Sequence, residues 1–583
     1  MKRTLILALA MLAWSLSFAA CEDEPSPTPA GQGLPCDVVA ILQQHCVACH
    51  GAVPQRGAPL SLVTPADFQA LGNDGATVGS RVLVRVQDSI RPMPPPPNPR
   101  LTQAELSTLT TFVRRGARPV ANGCALEDPS ATDSSGGSGS GSSMGSVGGT
   151  GGVPVSGTSR WTVYGHDLAN SRANLEERIL SAQNVSRLRR RWEFRGPATT
   201  STPAVFDGVV YLPGWDGKVY ALRLADGSAL WTATLPNLID SSAAVSSTRV
   251  FVSDNKGSVH AIDRRSGSIQ WSTQVDSHPQ AHLWSSPVYI EDANLVVVGV
   301  ASGEEELAAP YTFRGSVVAL NAATGAVVWQ FLTTRNDRTS GPGVAVWSTA
   351  AVDTERKTLY LGTGNNYAGP AGPYADAMLA IDYTSGRLVW SHQFTANDIF
   401  TIRQFLSGPD SDVGSSANLF TAGGRDLLGI GVKNGLYYAL DRDTGRPVWT
   451  AELTTGSVLG GVISASAYAN GVAYVASNRF TEGLTDVVAL DVSNGRELWR
   501  TTLSEITYGG VAYANGVVYL GNDSAKVFAL NAATGATLWT DRTPNAIGSG
   551  ATVADGLLLV SWGYQWTLGR GNPGSGGLIA YGL

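Results

Sequence analysis

Cys46-Val47-Ala48-Cys49-His50 is the stretch whose spacing most directly implies chemistry. Two cysteines two residues apart, followed at once by histidine, are the attachment signal for c-type haem, giving two thioethers and an axial imidazole from His50. A second axial ligand is wanted. The one methionine between residues 36 and 124 is Met93, in IRPMPPPPNPR, a proline-rich loop suited to holding a thioether rigidly over the haem face. Cys36 and Cys124 flank the same stretch. With Cys21 assigned to lipid and Cys46 and Cys49 to haem, an oxidising compartment lets these two pair.

The elements that must carry these residues are short helices. VVAILQQHCVACH is an amphipathic helix bearing the haem signal, and LTQAELSTLTTFVRRGA has apolar residues at helical spacing that would form its core. Residues 36–124 are therefore expected to be a small all-α cytochrome c domain. Residues 1–20 carry Lys2, Arg3 and an apolar run too short to span a membrane, and form a secretory signal. Phe18-Ala19-Ala20-Cys21 resembles a lipobox, so Cys21 is the expected lipid site and residues 21–35 a tether; ordinary cleavage nearby is the alternative. Residues 125–158 are Gly- and Ser-rich and can bury no core. Such a coil of about thirty residues spans roughly 30 Å on average, enough to let the haem domain visit the C-terminal part of the chain.

Residues 159–583 repeat one phrase: a strand pair, Ala-Leu/Ile-Asp/Asn, a Gly turn and a Trp, as in VHAIDRRSGSIQW (259–271) and VVALDVSNGRELW (487–499). Seven units end on Trp. An eighth ends at the C-terminus without one, and Trp192 in LRRRWEF supplies it from before the first unit. One small sheet cannot bury both faces, so the units must stack and close. The expected fold is an all-β eight-bladed propeller in which the first strand completes the last blade.

Trp-to-Trp intervals are 39 and 40 residues at the start of the ring but 58, 61 and 59 between Trp271 and Trp449. Three consecutive blades are therefore enlarged, by GVASGEEELAAPYTFRG (299–315), RTSGPGVAVWS…LGTGNNYAGP (338–370) and IRQFLSGPDSDVGSS (402–416), followed by GVKNG (431–435). Long loops on a rigid scaffold are where function concentrates. Carboxylates, an amide and a lysine gathered near a ring axis could hold a hard cation and a planar cofactor.

WTVYGHDLANSRAN (161–174), VWSTAAV…LYLGTGNNY, GPDSDVGSS and GRDLLGIGVKNGLYYALD resemble the quinoprotein alcohol dehydrogenases, which carry pyrroloquinoline quinone (PQQ) and Ca²⁺ in an eight-bladed propeller. The cytochrome-type polyvinyl-alcohol dehydrogenases are the most similar branch. The resemblance implies that Trp347 stacks on the quinone, that Asn365 is an amide ligand of Ca²⁺, and that Glu305, or Glu304 beside it, is an acidic ligand. It implies that Asp412 is the catalytic base and touches the calcium, and that Lys433 contacts the quinone oxygens. Many relatives cover the quinone with a disulfide between adjacent cysteines; this propeller contains no Cys.

The implied activity is oxidation of an alcohol, secondary or polymeric, with electrons passing to the chain's own haem c and then to a downstream acceptor. The protein is expected to be exported, periplasmic or at the cell surface, touching the membrane only through its lipid. A net charge of −6 gives no basic field for nucleic acid. Repeat and lipid signal alone also fit a non-enzymatic scaffold lipoprotein or a haem redox sensor without quinone. The haem motif and enlarged blades favour the enzyme. The remaining histidines, His166, His260, His278, His282 and His392, show no ligand spacing and are expected to be structural or exposed.

Overall fold

The computed structural model describes residues 32–46, 50, 61–70, 77–87, 100–115, 117–121, 160–402, 409–564 and 575–583. The chain divides into two units, Met1–Gly149 and Thr150–Leu583. The expected secretory signal and Gly/Ser linker lie outside the described residues.

In the first unit the described helices are Cys36–His45, Pro65–Gln69, Val78–Gln87 and Gln103–Arg114. Two of them start on reciprocal caps: Thr64 with Asp67, and Thr102 with Glu105, each side chain serving the other's backbone N–H. Leu42, Phe68, Leu109 and Phe112 are buried together, with the two Phe rings edge to face at 5.3 Å. One feature is added to the all-α expectation. Gln32–Gly33 pairs antiparallel with Val120–Ala121, tying the two ends of the unit together.

The second unit is an eight-bladed propeller. Blades 1 to 7 are antiparallel sheets spanning 204–234, 244–274, 288–332, 351–393, 418–452, 467–504 and 512–542. Blade 8 takes three strands from 552–582 and its fourth from Arg189–Gly196, with Ala580 opposite Trp192 and Leu578 opposite Phe194. The ring closes as the sequence implied.

What joins blade to blade is the repeated Trp. Each indole Nε1–H donates to a backbone carbonyl at the turn of the next blade. Trp192 reaches Leu224, Trp231 reaches Arg264, and so on to Trp499 and Ala532, all at 2.8–3.1 Å. The turn glycine under each ring is obligatory for two reasons. Gly445, for example, has φ +68°, and a Cβ there would run into the Trp390 ring. Trp539 closes the series on the Leu188 carbonyl, just before the strand that completes blade 8.

A segment ahead of that strand threads the innermost strands in ring order. Trp161 bridges Val205 of blade 1, and the Thr162 carbonyl accepts from Val245 of blade 2. The carbonyls of Leu168, Ala169, Ser171 and Arg172 then accept from Val352, Leu419, Tyr468 and Tyr513 of blades 4 to 7. Asn174 and Glu177 reach blade 8. Arg172 is fully buried here, donating to the Val511 and Tyr164 carbonyls at 2.7 and 2.6 Å and lying over the Tyr164 ring.

Candidate active site

The residues singled out from sequence occupy equivalent places in neighbouring blades. Trp347 precedes the first strand of blade 4 (Ala351–Asp353), and Asp412 precedes that of blade 5 (Asn418–Ala422). Glu305, Asn365 and Lys433 follow the second strands of blades 3, 4 and 5, which are Leu295–Ser302, Thr358–Gly362 and Arg425–Gly431. First and second strands run antiparallel, so the entry to one and the exit from the other lie on the same rim. The topology therefore delivers all five to one side of the ring, where they line a single cavity of about 960 Å³.

Asp412 is the hub of the cluster. Its Oδ1 accepts the backbone N–H of Asn365 at 2.9 Å, and its Oδ2 accepts from Lys433 Nζ at 2.8 Å. Lys433 donates equally to Asp410 Oδ1 at 2.8 Å and stands 5.5 Å from the centre of the Trp347 ring. Burial opposes the charge on Lys433, but Asp410 and Asp412 outweigh it and hold the ammonium protonated well above its ordinary range. Gly414 lies under Trp347, where any side chain would overlap the indole, so the D-x-D-x-G order of 410–414 is a packing requirement.

The two acidic candidates of the blade 3 insertion separate cleanly. Glu304 is turned into the protein, accepting the backbone N–H groups of Thr312 and Phe313 at 2.9 and 2.8 Å and the Thr312 hydroxyl at 3.1 Å. It anchors the loop. Glu305 faces the cavity, and its carboxyl is pushed up to about 8 by enclosure in the protein, with the Asp412 charge adding to it. Both amide hydrogens of Asn365 go to carbonyls, Asn366 at 2.7 Å and Phe400 at 2.8 Å, which fixes the amide and leaves its oxygen for a cation.

Two carboxylates and an amide oxygen are hard donors of the kind that could hold a cation such as Ca²⁺, and a cation there would favour the ionised form of Glu305. Among the described residues no three His, Cys, Asp or Glu side chains are grouped to hold a metal alone. A cation here would draw its other ligands from a bound molecule. A planar molecule fits beside it, because Trp347 offers an indole face along the cavity wall.

Several residues of this site were not anticipated. Asp410 shares Lys433, and its own carboxyl is pushed up to about 7, by burial first. Asp376 and Asp398 are fully buried behind the cluster. Both oxygens of Asp376 and Oδ1 of Asp398 meet no donor, so the two carboxyls face each other as acceptors unless one holds a proton. His282, expected to be structural or exposed, lines the cavity with Lys256, Asp240, Trp215 and Trp284. His260 is structural as expected, buried between Asp254 at 3.1 Å and Ser272 at 2.8 Å. The signal for Asp410 was its D-x-D spacing from Asp412; for His282 it was the His-x-Trp ahead of an enlarged blade.

In the first unit, His50 lies beyond the helix end, its backbone N–H donating to the Cys46 carbonyl at 2.9 Å. His45 contacts Glu105 at 3.1 Å. Cys36 is disulfide-bonded. Cys49, Met93, Cys124 and Cys21 lie outside the described residues.

A family model described as the glucose/ethanol/alcohol dehydrogenase β-propeller domain (PQQ) matches residues 161–455. One described as outer membrane protein assembly factor BamB matches 433–505 and 483–568. A polyvinylalcohol dehydrogenase of Sphingopyxis sp. (strain 113P3) is 27% identical over 497 residues, covering 73% of this chain and 75% of that protein. Another, of Pseudomonas sp, is 28% identical over 491 residues, with 73% and 76% covered. The solved quinohemoprotein alcohol dehydrogenase of Comamonas testosteroni has a TM-score of 0.62 at 19% identity, covering 73% of this chain and 80% of that one, a likeness of fold.

Proposed function

This chain belongs to the PQQ glucose/ethanol/alcohol dehydrogenase β-propeller family, and on that premise we propose that it is an exported quinohaemoprotein oxidising a secondary or polymeric alcohol. The observation that carries the reading is the Asn365–Asp412–Lys433 chain beside Trp347, with Glu305 lining the same cavity. When bound, PQQ would supply the two-electron acceptor and Ca²⁺ the Lewis acid. Glu305, the Asn365 amide oxygen and Asp412 would hold the cation, and Trp347 would support the ring.

Asp412 accepts the proton of the alcohol hydroxyl, as a positioned carboxylate at the cavity wall. Lys433 orients that carboxylate through its ion pair, and its remaining N–H is free to contact the cofactor's oxygens. The first unit would carry haem c on Cys46 and Cys49, with His50 and Met93 as the residues that would hold its iron and Cys36–Cys124 as a staple. A lipid on Cys21 would hold the protein at a periplasmic or cell-surface membrane, and a downstream cytochrome or respiratory chain would take the electrons.

The polymeric substrate is suggested by the two polyvinylalcohol dehydrogenases, each similar over about three quarters of its length. The BamB match starts at Lys433, late in the third enlarged blade, and runs on through the regular blades, so it takes in none of Glu305, Trp347, Asn365 and Asp412. The test is to purify the exported protein, add PQQ and Ca²⁺, and follow haem absorbance after adding secondary alcohols or polyvinyl alcohol. Quinone-dependent haem reduction is the expected result. Indifference to quinone across all alcohols would overturn the reading.

A further inference from the structure

The cavity extends beyond the acidic cluster to a wall built by blades 2 and 3, two to three blades round the ring from Lys433. Its polar groups obey the same positional rule as the cluster. Asp240 precedes the first strand of blade 2 (Ala244–Val245), and Lys256 follows the second (Arg249–Ser253). His282 precedes the first strand of blade 3 (Val288–Ile290).

His282 is held there by an extra strand. Ala281–His282 pairs antiparallel with the end of Leu295–Ser302, placing His282 opposite Ala301 and beside the turn that carries Glu305. Gly303 makes room for it: a Cβ at that position would lie 3.2 Å from the imidazole Cε1. Trp284 meets the imidazole edge to face at 5.1 Å. The Nδ1 atom of His282 is nevertheless buried with no hydrogen-bond partner among the described residues. Lys256 projects into the same wall as an exposed ammonium.

These groups are donors without an acceptor. Burial, and then the neighbouring Lys256 charge, push His282 down to about 4, so at neutral pH it is an imidazole with one N–H to give. Desolvation pushes Asp240 up to about 7, against a hydrogen bond from Trp284, so its carboxyl is also a donor for part of the time. An ammonium and an imidazole N–H on one cavity wall recognise a carboxylate. PQQ is a planar tricarboxylate.

We propose that Lys256 and His282, with Asp240 beside them, form an anion subsite that receives a carboxylate of the bound cofactor. The proposal rests on the quinone reading of the site. It assigns the blade 2–blade 3 wall to positioning the cofactor and the blade 4–blade 5 wall to the reaction.

The experiment is a titration of quinone-free protein in Ca²⁺ with PQQ and with its trimethyl ester, read by tryptophan fluorescence and independent of turnover. Wild type should favour the free acid. Lys256→Met with His282→Gln should weaken PQQ binding roughly 10- to 100-fold, as expected for lost charge-assisted hydrogen bonds. The ester should bind as before, and Lys256→Arg should restore most of the preference. Lys256→Met alone, at an exposed side chain, preserves the test if the double variant does not fold. Unchanged PQQ affinity in a folded variant, or equal loss of acid and ester, would overturn the subsite and leave the quinone reading standing. Failure of wild type to bind PQQ at all would overturn both.

Discussion

The same residue type behaves in opposite ways on the two rims of the ring. At the repeat turns, Asp263 and Asp491 accept hydrogen bonds from a nearby Ser, backbone and hydroxyl, and are held below the usual carboxylate range. At the cavity, Asp410 and Glu305 are pushed up to about 7 and about 8 by burial and by neighbouring carboxylates. The turns connect third and fourth strands, and the cavity loops lie at the entry to the first and the exit from the second, so the two populations face opposite sides. One rim matches these acceptors to donors. The other buries carboxylates together, leaving both oxygens of Asp376 and Oδ1 of Asp398 without a donor among the described residues, the kind of perturbed cluster that marks a candidate functional site.

That contrast can be broken most sharply at the hub. Asp412→Asn should lower turnover by roughly 10²–10⁴-fold, the usual worth of a positioned base, while PQQ binding stays largely intact. Normal turnover would remove Asp412 from the base role. On the other rim, Gly445→Ala should cost about 2–3 kcal/mol, from a left-handed backbone and a displaced Trp390, with kcat per folded molecule unchanged. Chemical denaturation read beside activity separates the two.

The pH dependence is set by the signs of these shifts. Turn carboxylates with lowered values stabilise the fold above about 3.8 and lose that contribution as pH falls through their folded values. Cavity carboxyls with raised values stabilise it below about 4 and lose that contribution as pH climbs through about 7 and 8. Without a divalent cation, stability should peak near pH 4 and decline toward pH 8. Ca²⁺ favours the ionised carboxylates, so its increment in melting temperature should grow from pH 6 to pH 8. A Ca²⁺ effect that is flat with pH would contradict the crowding at Glu305. The smallest effect is expected for Asp263→Asn, a shift within about 2 °C that is present at neutral pH and disappears in acid.

Much of this was legible from sequence because repetition averages over local ambiguity. Seven Trp-terminated units plus Trp192 specify eight blades and the closing strand, since each Trp needs the next blade's turn. The enlarged intervals marked the loops that carry Trp347, Asn365 and Asp412, the resemblance supplied their expected roles, and the antiparallel rule puts them on one rim. Asp410 was passed over despite its D-x-D spacing from Asp412, because the spacing alone does not say that both carboxylates meet Lys433. His282 depends on a two-residue strand without a repeat signature. The contact between Asp376 and Asp398 joins two loops of different lengths, and no pattern in either segment announces it.

The threading of Trp161–Glu177 through the inner strands bears on how such a protein comes into being. These residues leave the ribosome before any blade exists, yet their partners in blades 7 and 8 are nearly the last to be made. A nascent chain therefore carries a drawstring with nothing to gather until synthesis is all but complete. Contacts so distant in sequence slow folding, so the ring can tighten only once its last blades have been made.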